Sequence, residues 1–364
     1  MSRTTTKGLP VSFKIADRHV GARAPTYFIA DVAANHDGDL DRAKELIRLC
    51  AQAGADAAKF QNFTAAKIVS DYGFRNLGGQ QSHQASWKKS VFEVYSDASI
   101  PADWTPELKQ TCDEAGIDYF SAPYDFEATD FLSAYMPAYK VGSGDITWLA
   151  SIRRMASKGK PILIATGAAD IGEVQAAVDA AREHTSDICL MQCNTNYTGQ
   201  LENFAHINLR VLETYRLMFP DVVLGLSDHT PGLSTVLGAI ALGARVVEKH
   251  FTDDTSREGP DHGFSMDPAA WQDMVAAARQ LELALGGADK RVEANEMETV
   301  VLQRRCLRAA TDLKPGDVLD DTTVDVLRPA TPGALRPNDL EKIRGRSLRR
   351  PLVYGQDITW ADVD

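Results

Sequence analysis

Two lysines and two histidines stand inside, or just beyond, short apolar runs. Lys59 interrupts ADAAKFQ, Lys140 interrupts AYKVGSG, His229 follows VVLGLSD, and His250 comes near the end of ARVVEKHF. An ammonium group in an apolar setting is costly unless something compensates it. Three chemistries fit the lysines. One is a buried ion pair. Another is an anion site, in which both ammonium groups, Ser143 and glycine N–H groups hold a phosphate and a carboxylate. The third is a desolvated amine that forms a Schiff base. The histidines are either structural hydrogen-bonders or ligands of a divalent metal. Two imidazoles suit Zn, Mn, Fe or Co better than all-oxygen cations. Positions left to water and substrate would make such an ion a Lewis acid. His36 and His262 are candidate helpers, whereas His19, His83, His184 and His206 lack such company and are expected to be solvated.

These side chains need a frame that delivers them to one place. Between about 26 and 286, eight apolar runs alternate with helix-period stretches: 27–35, 55–61, 117–123, 138–144, 161–167, 187–194, 222–228 and 244–251. Their near-continuous hydrophobicity suits parallel strands covered on both faces. In 39–53, Leu40, Ala43, Ile47 and Cys50 share one helical face, with Asp39 as cap and Gly54 as terminator. Asp267 and Pro268 open another helix. Eight strand-helix units match a (β/α)8 TIM barrel. The rival doubly wound sheet would need a glycine-rich first turn, and HDGD has one glycine. A barrel builds its site at the C-terminal strand ends. There the runs deliver Asp31 with Asn35 and His36, then Lys59 with Gln61, then Lys140, Ser143 and Asp145, and then Thr166. The later runs deliver Asn194 to Tyr197, Ser227 to His229, and Glu248 to His250. The long polar connection 70–98 reads as a substrate lid or a surface excursion.

Residues 1–286 are thus expected to form the catalytic domain, 287–303 a partly helical linker, and 304–364 a small β-rich domain with Pro-Gly and Asp-Asp turns. The stretch 304–350 carries 11 basic and 7 acidic side chains in a chain of net charge −11, leaving −15 elsewhere. Such a basic module could cover an acidic barrel, its own or a partner's. The 50 acidic and 39 basic residues argue against nucleic acid as a partner. No run approaches a membrane helix, and MSRTTTKGLP has no apolar signal core, so no membrane and a cytoplasmic location are expected. Cysteines 50, 112, 189, 193 and 306 read as reduced core residues; Cys189 and Cys193, four apart on a strand, are also a conceivable metal pair.

The chain resembles the N-acetylneuraminate (sialic acid) synthase family, which includes the legionaminic and pseudaminic acid synthases. The motifs are IADVAANHDGDL (29–40), GADAAKFQNF (54–63), YKVGSGDI (139–146), LGLSDHTPG (224–232), VVEKHFTDD (246–254) and GPDHGFSMDP (259–268). LRPATPG (327–333) lies in a segment similar to the family's antifreeze-like SAF domain. The resemblance implies a metal-dependent condensation of phosphoenolpyruvate with an open-chain sugar aldehyde. It implies Asp31, Lys59, His229 and His250 as catalytic residues. Phosphoenolpyruvate contacts would be Lys59, Lys140, Ser143, Thr195 and Ser227; sugar contacts would be Gln61, Tyr197, Asp261 and Arg328. His229 and His250 would hold the metal, manganese first, with Mg, Co or Zn as alternatives. Arg328 would reach a partner's site in a domain-swapped homodimer. An acidic protein would bind the anionic substrate because its site is locally cationic.

Departures from the family pattern point to an acceptor other than N-acetylmannosamine. Asp31 replaces a glutamate, where a shift of about 1 Å matters. SAPYD (121–125) loses a hydroxyl at Ala122, Ala165 loses another, GAAD (167–170) lacks a methionine, and CNTNY (193–197) is atypical. The alternatives are a pyruvate-dependent Schiff-base aldolase on the same barrel and a catalytically decayed carbohydrate-binding homologue.

Overall fold

Apolar runs without alternation must be covered on both faces, and parallel strands beneath helices meet that demand. All eight runs form such strands. The computed structural model describes residues 11–77, 84 and 87–364; the expectations for residues 1–10 and for His83 lie outside the described residues. The chain divides into two compact units, Met1–Gly286 and Gly287–Asp364.

The first unit opens with an antiparallel hairpin of β1 (Ser12–Ile15) and β2 (Arg18–Gly21). A TIM barrel follows: β3 (Tyr27–Asp31), β4 (Ala57–Asn62), β5 (Asp118–Pro123), β6 (Tyr139–Val141), β7 (Ile162–Ala165), β8 (Ile188–Cys193), β9 (Val223–Asp228) and β10 (Val246–His250). The parallel order is β5-β4-β3-β10-β9-β8-β7-β6, and β5 lies beside β6 to complete the ring. Helices cover the outside. Asp39 caps Leu40–Gln52 by accepting the Arg42 N–H, and Gly54 takes the left-handed turn beyond it at φ +89°. Asp267 caps Pro268–Leu285 by accepting the Ala270 N–H.

Side chains alternate between the faces of a strand. Phe28, Ala30 and Val32 join the core between strands and helices, while Tyr27 and Ile29 point into the barrel. With Ala57, Phe120, Leu163, Met191 and Val246 they fill its N-terminal half, and Phe13, Ile15 and Val20 of the hairpin pack onto the same cluster. The sequence reading began the barrel near 26 and missed this plug. Its signal was the polar–apolar alternation of Ser12, Phe13, Lys14 and Ile15, which the structure turns into alternately exposed and buried side chains. All five cysteines are free and buried. Cys189 lies in the apolar floor, and four residues along a strand span about 13 Å, so Cys189 and Cys193 cannot share a metal.

The described part of the 70–98 connection includes helical turns, Asp71–Arg75 and Val91–Ala98, and Ala65–Ile68 precedes it. In the second unit, β11 (Cys306–Ala309) pairs with β12 (Val324–Leu327), short bridges link the remaining segments, and Leu307, Leu319, Leu335, Leu348 and Ile358 lie in the core. The helix Met297–Leu302 falls in the stretch expected to be a linker. No helix among the described residues is long and apolar enough to cross a membrane.

Ile15 is fully buried in the plug. Ile15→Ala should lower the stability of the barrel unit by about 2–5 kcal/mol, read from urea unfolding. An unchanged midpoint would mean that the hairpin is not part of the floor.

Candidate active site

Above the apolar floor, the next inward positions are charged. In register, Asp31 lies opposite both Lys59 and His250, and Ser227 lies opposite both Glu248 and Cys193. Lys59 Nζ donates to Asp31 Oδ2 at 2.5 Å and sits 3.6 Å from Glu248; Lys140 Nζ is 3.2 Å from Glu248 Oε1. Asp31 also accepts the Ala33 N–H at 3.1 Å, so its short side chain is held from two sides. All four charged groups are at most 5% exposed. Burial works against the Lys59 ammonium, but the carboxylates of Asp31 and Glu248 outweigh it and hold its pKa above the usual lysine value.

One layer higher stand the imidazoles, with ring centroids 5.4 Å apart. Burial, reinforced by His229 and Lys59, keeps His250 neutral, its pKa well below the ordinary value. Its Nδ1 is buried with no hydrogen-bond partner among the described residues, and its Nε2 lies 3.7 Å from Asp31. His229 Nδ1 is 2.8 Å from the Asn194 carbonyl, so that nitrogen is the donor and Nε2 keeps its lone pair. Burial opposes a charge on His229, yet Cys193 and the Asn194 carbonyl raise its pKa. No group of three or more His, Cys, Asp or Glu is gathered for a metal among the described residues. Two imidazole lone pairs, one of them orphaned, still fit a divalent cation that takes its other ligands from water or substrate.

A cavity of about 400 Å³ lies over this floor. Gln61, Tyr124, Ser143, Asp145, Tyr197 and Asp261 line it together with the charged layer and the imidazoles. Ser143 Oγ accepts the Gly167 N–H at 3.0 Å, and Tyr197 packs edge-on to His229 with centroids 4.4 Å apart. Asp261 accepts the Ala34 N–H at 3.1 Å. Burial raises the Asp261 pKa to about 6, the Ala34 bond opposing and the Asp31 charge adding.

Ten of the sequence-derived site residues therefore meet or line one cavity, namely Asp31, Lys59, Gln61, Lys140, Ser143, Tyr197, Ser227, His229, His250 and Asp261, and the strand-end polars Asp145 and Glu248 join them. Thr195 does not line it. Its methyl packs where a Cβ on Gly167 would stand. Thr166, outward by parity, donates to the Met191 carbonyl and accepts from Tyr215. Asp228 and Lys249 also point outward, paired at 2.6 Å beneath Thr230 and Thr235. The candidate helpers have structural partners instead. His36 sits edge-on to Trp104, its pKa lowered by burial to about 4, and fully buried His262 bridges Thr252 and Asp37. His19, His184 and His206 are exposed as expected. Arg328 is exposed in the second unit, directly after β12.

Local charge differs from the expectation. Lys59 and Lys140 face Asp31, Asp145, Glu248 and Asp261, so the lining holds more carboxylates than ammonium groups. Sequence reasoning gave Glu248 no role. The available signal was its spacing of two from His250 in VVEKHF, which puts both on one face.

Comparison with known proteins follows this geometry. Residues 46–290 match the NeuB family, and residues 304–364 match the SAF domain. The chain belongs to the NeuB family. It is a sialic acid synthase-like enzyme of the transferase type. The N,N'-diacetyllegionaminic acid synthase of Legionella pneumophila is 31% identical over 94% of this chain and 96% of that protein. The human N-acetylneuraminate-9-phosphate synthase is 31% identical over 91% of this chain and 90% of that protein. The crystal structure of the Bacillus subtilis spore coat polysaccharide biosynthesis protein SpsE superposes with a TM-score of 0.64 at 29% identity, covering 97% of this chain and 99% of that one.

The Asp261 pKa carries a sign. It is raised above the ordinary aspartate value of 3.8 to about 6, so the folded state binds this proton more tightly than the unfolded one. The resulting stabilisation is fully present below pH 3.8 and is lost as pH rises through about 6. Urea midpoints followed from pH 4 to 7 should fall more steeply in the wild type than in Asp261→Asn; parallel curves would contradict the raised pKa.

Proposed function

We propose that this protein condenses phosphoenolpyruvate with an open-chain N-acyl hexosamine or related sugar aldehyde, giving a 2-keto-3-deoxy sugar acid and phosphate. The observation that carries this reading is the stack of a lysine-carboxylate layer beneath two imidazoles at one end of one barrel. Lys59, Lys140, Ser143 and Ser227 are the donors offered to the phosphate and carboxylate of phosphoenolpyruvate. A divalent cation held by His229 and His250, with manganese first and Mg, Co or Zn as alternatives, would polarise the aldehyde oxygen. The enol carbon forms the new bond to the aldehyde carbon. Water then adds at the former enol C2, and phosphate departs by C–O cleavage. Asp31 is the carboxylate placed beside His250, and Asp261, Gln61 and Tyr197 orient the sugar. The excess of carboxylates in the lining argues that these lysines alone do not balance a phosphate and a carboxylate. The cation and a further guanidinium would supply the deficit, and we assign the latter to Arg328 of a second copy in a homodimer.

The Schiff-base aldolase alternative needs a neutral lysine amine. Lys59 is held as an ammonium by two carboxylates, which favours the phosphoenolpyruvate reading. Relatives named for a legionaminic acid and for a 9-phosphate product stand at the same 31% identity, so similarity does not choose the acceptor.

His250→Ala should lower turnover by at least about 100-fold, on the scale of losing one transition-state stabiliser, with an unchanged circular dichroism spectrum and weakened manganese binding by calorimetry. Full turnover in the presence of chelator would end the metal assignment. Arg328→Ala should raise the KM for the acceptor more than that for phosphoenolpyruvate; equal effects would count against its role. Borohydride with pyruvate should leave Lys59 and Lys140 unmodified, whereas a covalent adduct would move the protein to the aldolase class.

A further inference from the structure

The residues just before the two imidazoles point the opposite way, to the outside of the barrel. Asp228 ends β9 directly opposite Lys249 in register, and His229 and His250 are the next residues in the chain. Two residues earlier on the same outer faces, Leu226 and Val247 lie in the apolar layer between strands and helices. At the top of that layer the chain places an ion pair instead. Lys249 Nζ donates to Asp228 Oδ2 at 2.6 Å, with Asp228 3% and Lys249 2% exposed.

The pair holds more than its own charges. Asp228 accepts the Thr230 N–H at 3.2 Å, the Thr230 hydroxyl at 2.9 and 3.0 Å, and the Thr235 hydroxyl at 2.7 Å. Lys249 Nζ donates a second bond, to the Thr230 carbonyl, at 2.5 Å. Thr230 and Thr235 are buried, and Thr235 belongs to the helix Ser234–Ala241. Both backbone groups of Thr230 are therefore tied on the far side of His229, and Asp228 is fixed on the near side. His229 itself stands beyond the last residue of β9, where strand pairing no longer sets its direction. A buried ion pair is weak support for stability, since apolar side chains of similar volume often serve as well or better. Apolar side chains could not, however, grip Thr230 by its N–H and C=O or fix two neighbouring strand ends through directional bonds.

We infer that Asp228 and Lys249 are positioning residues for the imidazole pair: with Thr230 and Thr235 they set the spacing and aim of His229 and His250 from outside the barrel. This rests on the reading of those imidazoles as ligands of a divalent cation. Loss of an outer residue that orients a metal-binding imidazole commonly weakens metal binding about 10–100-fold.

The test removes both charges at once, so that neither is left buried alone. Full-length protein carrying Asp228→Leu with Lys249→Met should keep the wild-type circular dichroism spectrum and urea midpoint. Its calorimetric Kd for manganese should rise about 10–100-fold, while the affinity of the metal-free protein for phosphoenolpyruvate stays the same. In metal-free protein, the His229 Nδ1 proton resonance, identified by its loss in His229→Gln, should shift or vanish in the double variant as the bond to the Asn194 carbonyl loosens. Thr235→Val, which keeps both charges and takes one hydroxyl from Asp228, should move the manganese Kd and the resonance in the same directions by less. Either wild-type manganese affinity or an unmoved resonance in a folded double variant would overturn the inference, as would an equal loss of phosphoenolpyruvate affinity. A pair that served stability alone would lower the urea midpoint and leave both readouts unchanged. If the double variant does not fold, Thr235→Val decides by the same two readouts. Wild-type protein that binds no manganese would end the metal reading, and the resonance alone would then decide the positioning claim.

Discussion

A lysine cannot stand uncompensated inside a barrel, and much of the site follows from that constraint. Lys59 and Lys140 share the carboxylates of Asp31 and Glu248 across three strands, β3, β4 and β10, with β6 supplying the fourth member. Removing one partner of such a buried set leaves a charge with no counterpart, at a cost of about 3–5 kcal/mol, so the four hold one another in place. Two residues beyond Glu248, on the same face of its strand, comes His250. The distance of the His250 imidazole from the lysines is therefore set by strand geometry, while His229 stands one residue past the end of β9.

The barrel was legible because its strands must be covered on both sides, which leaves apolar runs bounded by turn residues. Asp39, Gly54, Asp267 and Pro268 marked helix ends by their own chemistry. What a run could not reveal was its parity. Ser227 and His229 face inward while Asp228 faces Lys249 and Thr235 on the outside, yet all three are polar neighbours at one strand end. Only the cross-strand register, a non-local property, separates them. Thr195, beyond the end of β8, and His262, on a turn after β10, looked available because no strand pattern fixes the direction of a loop residue, whereas Glu248 could have been placed by its spacing of two from His250. The local charge was misread because lysines stand out in an apolar run, whereas the carboxylates that answer them arrive from other strands.

The N-terminal hairpin and the 63–98 segment show two ways in which the chain adds to a plain barrel. The hairpin contributes Phe13, Ile15 and Val20 to a cluster that already exists and is repaid in apolar burial. The 63–98 segment contributes side chains that no core cluster absorbs, so its apolar surface is kept for the cavity. Floor and wall thus come from different parts of the chain: strands supply the charged layer, and a connection between strands supplies part of the cavity's lining.

The plug under the floor also makes the barrel a vessel with a single opening. A molecule seated on the lysine layer lies at the bottom, and one seated against the aromatic and aliphatic wall lies above it. Whatever reaches the lysine layer must pass the imidazoles and the upper lining, so the occupancy of the upper part of the cavity governs access to the lower part.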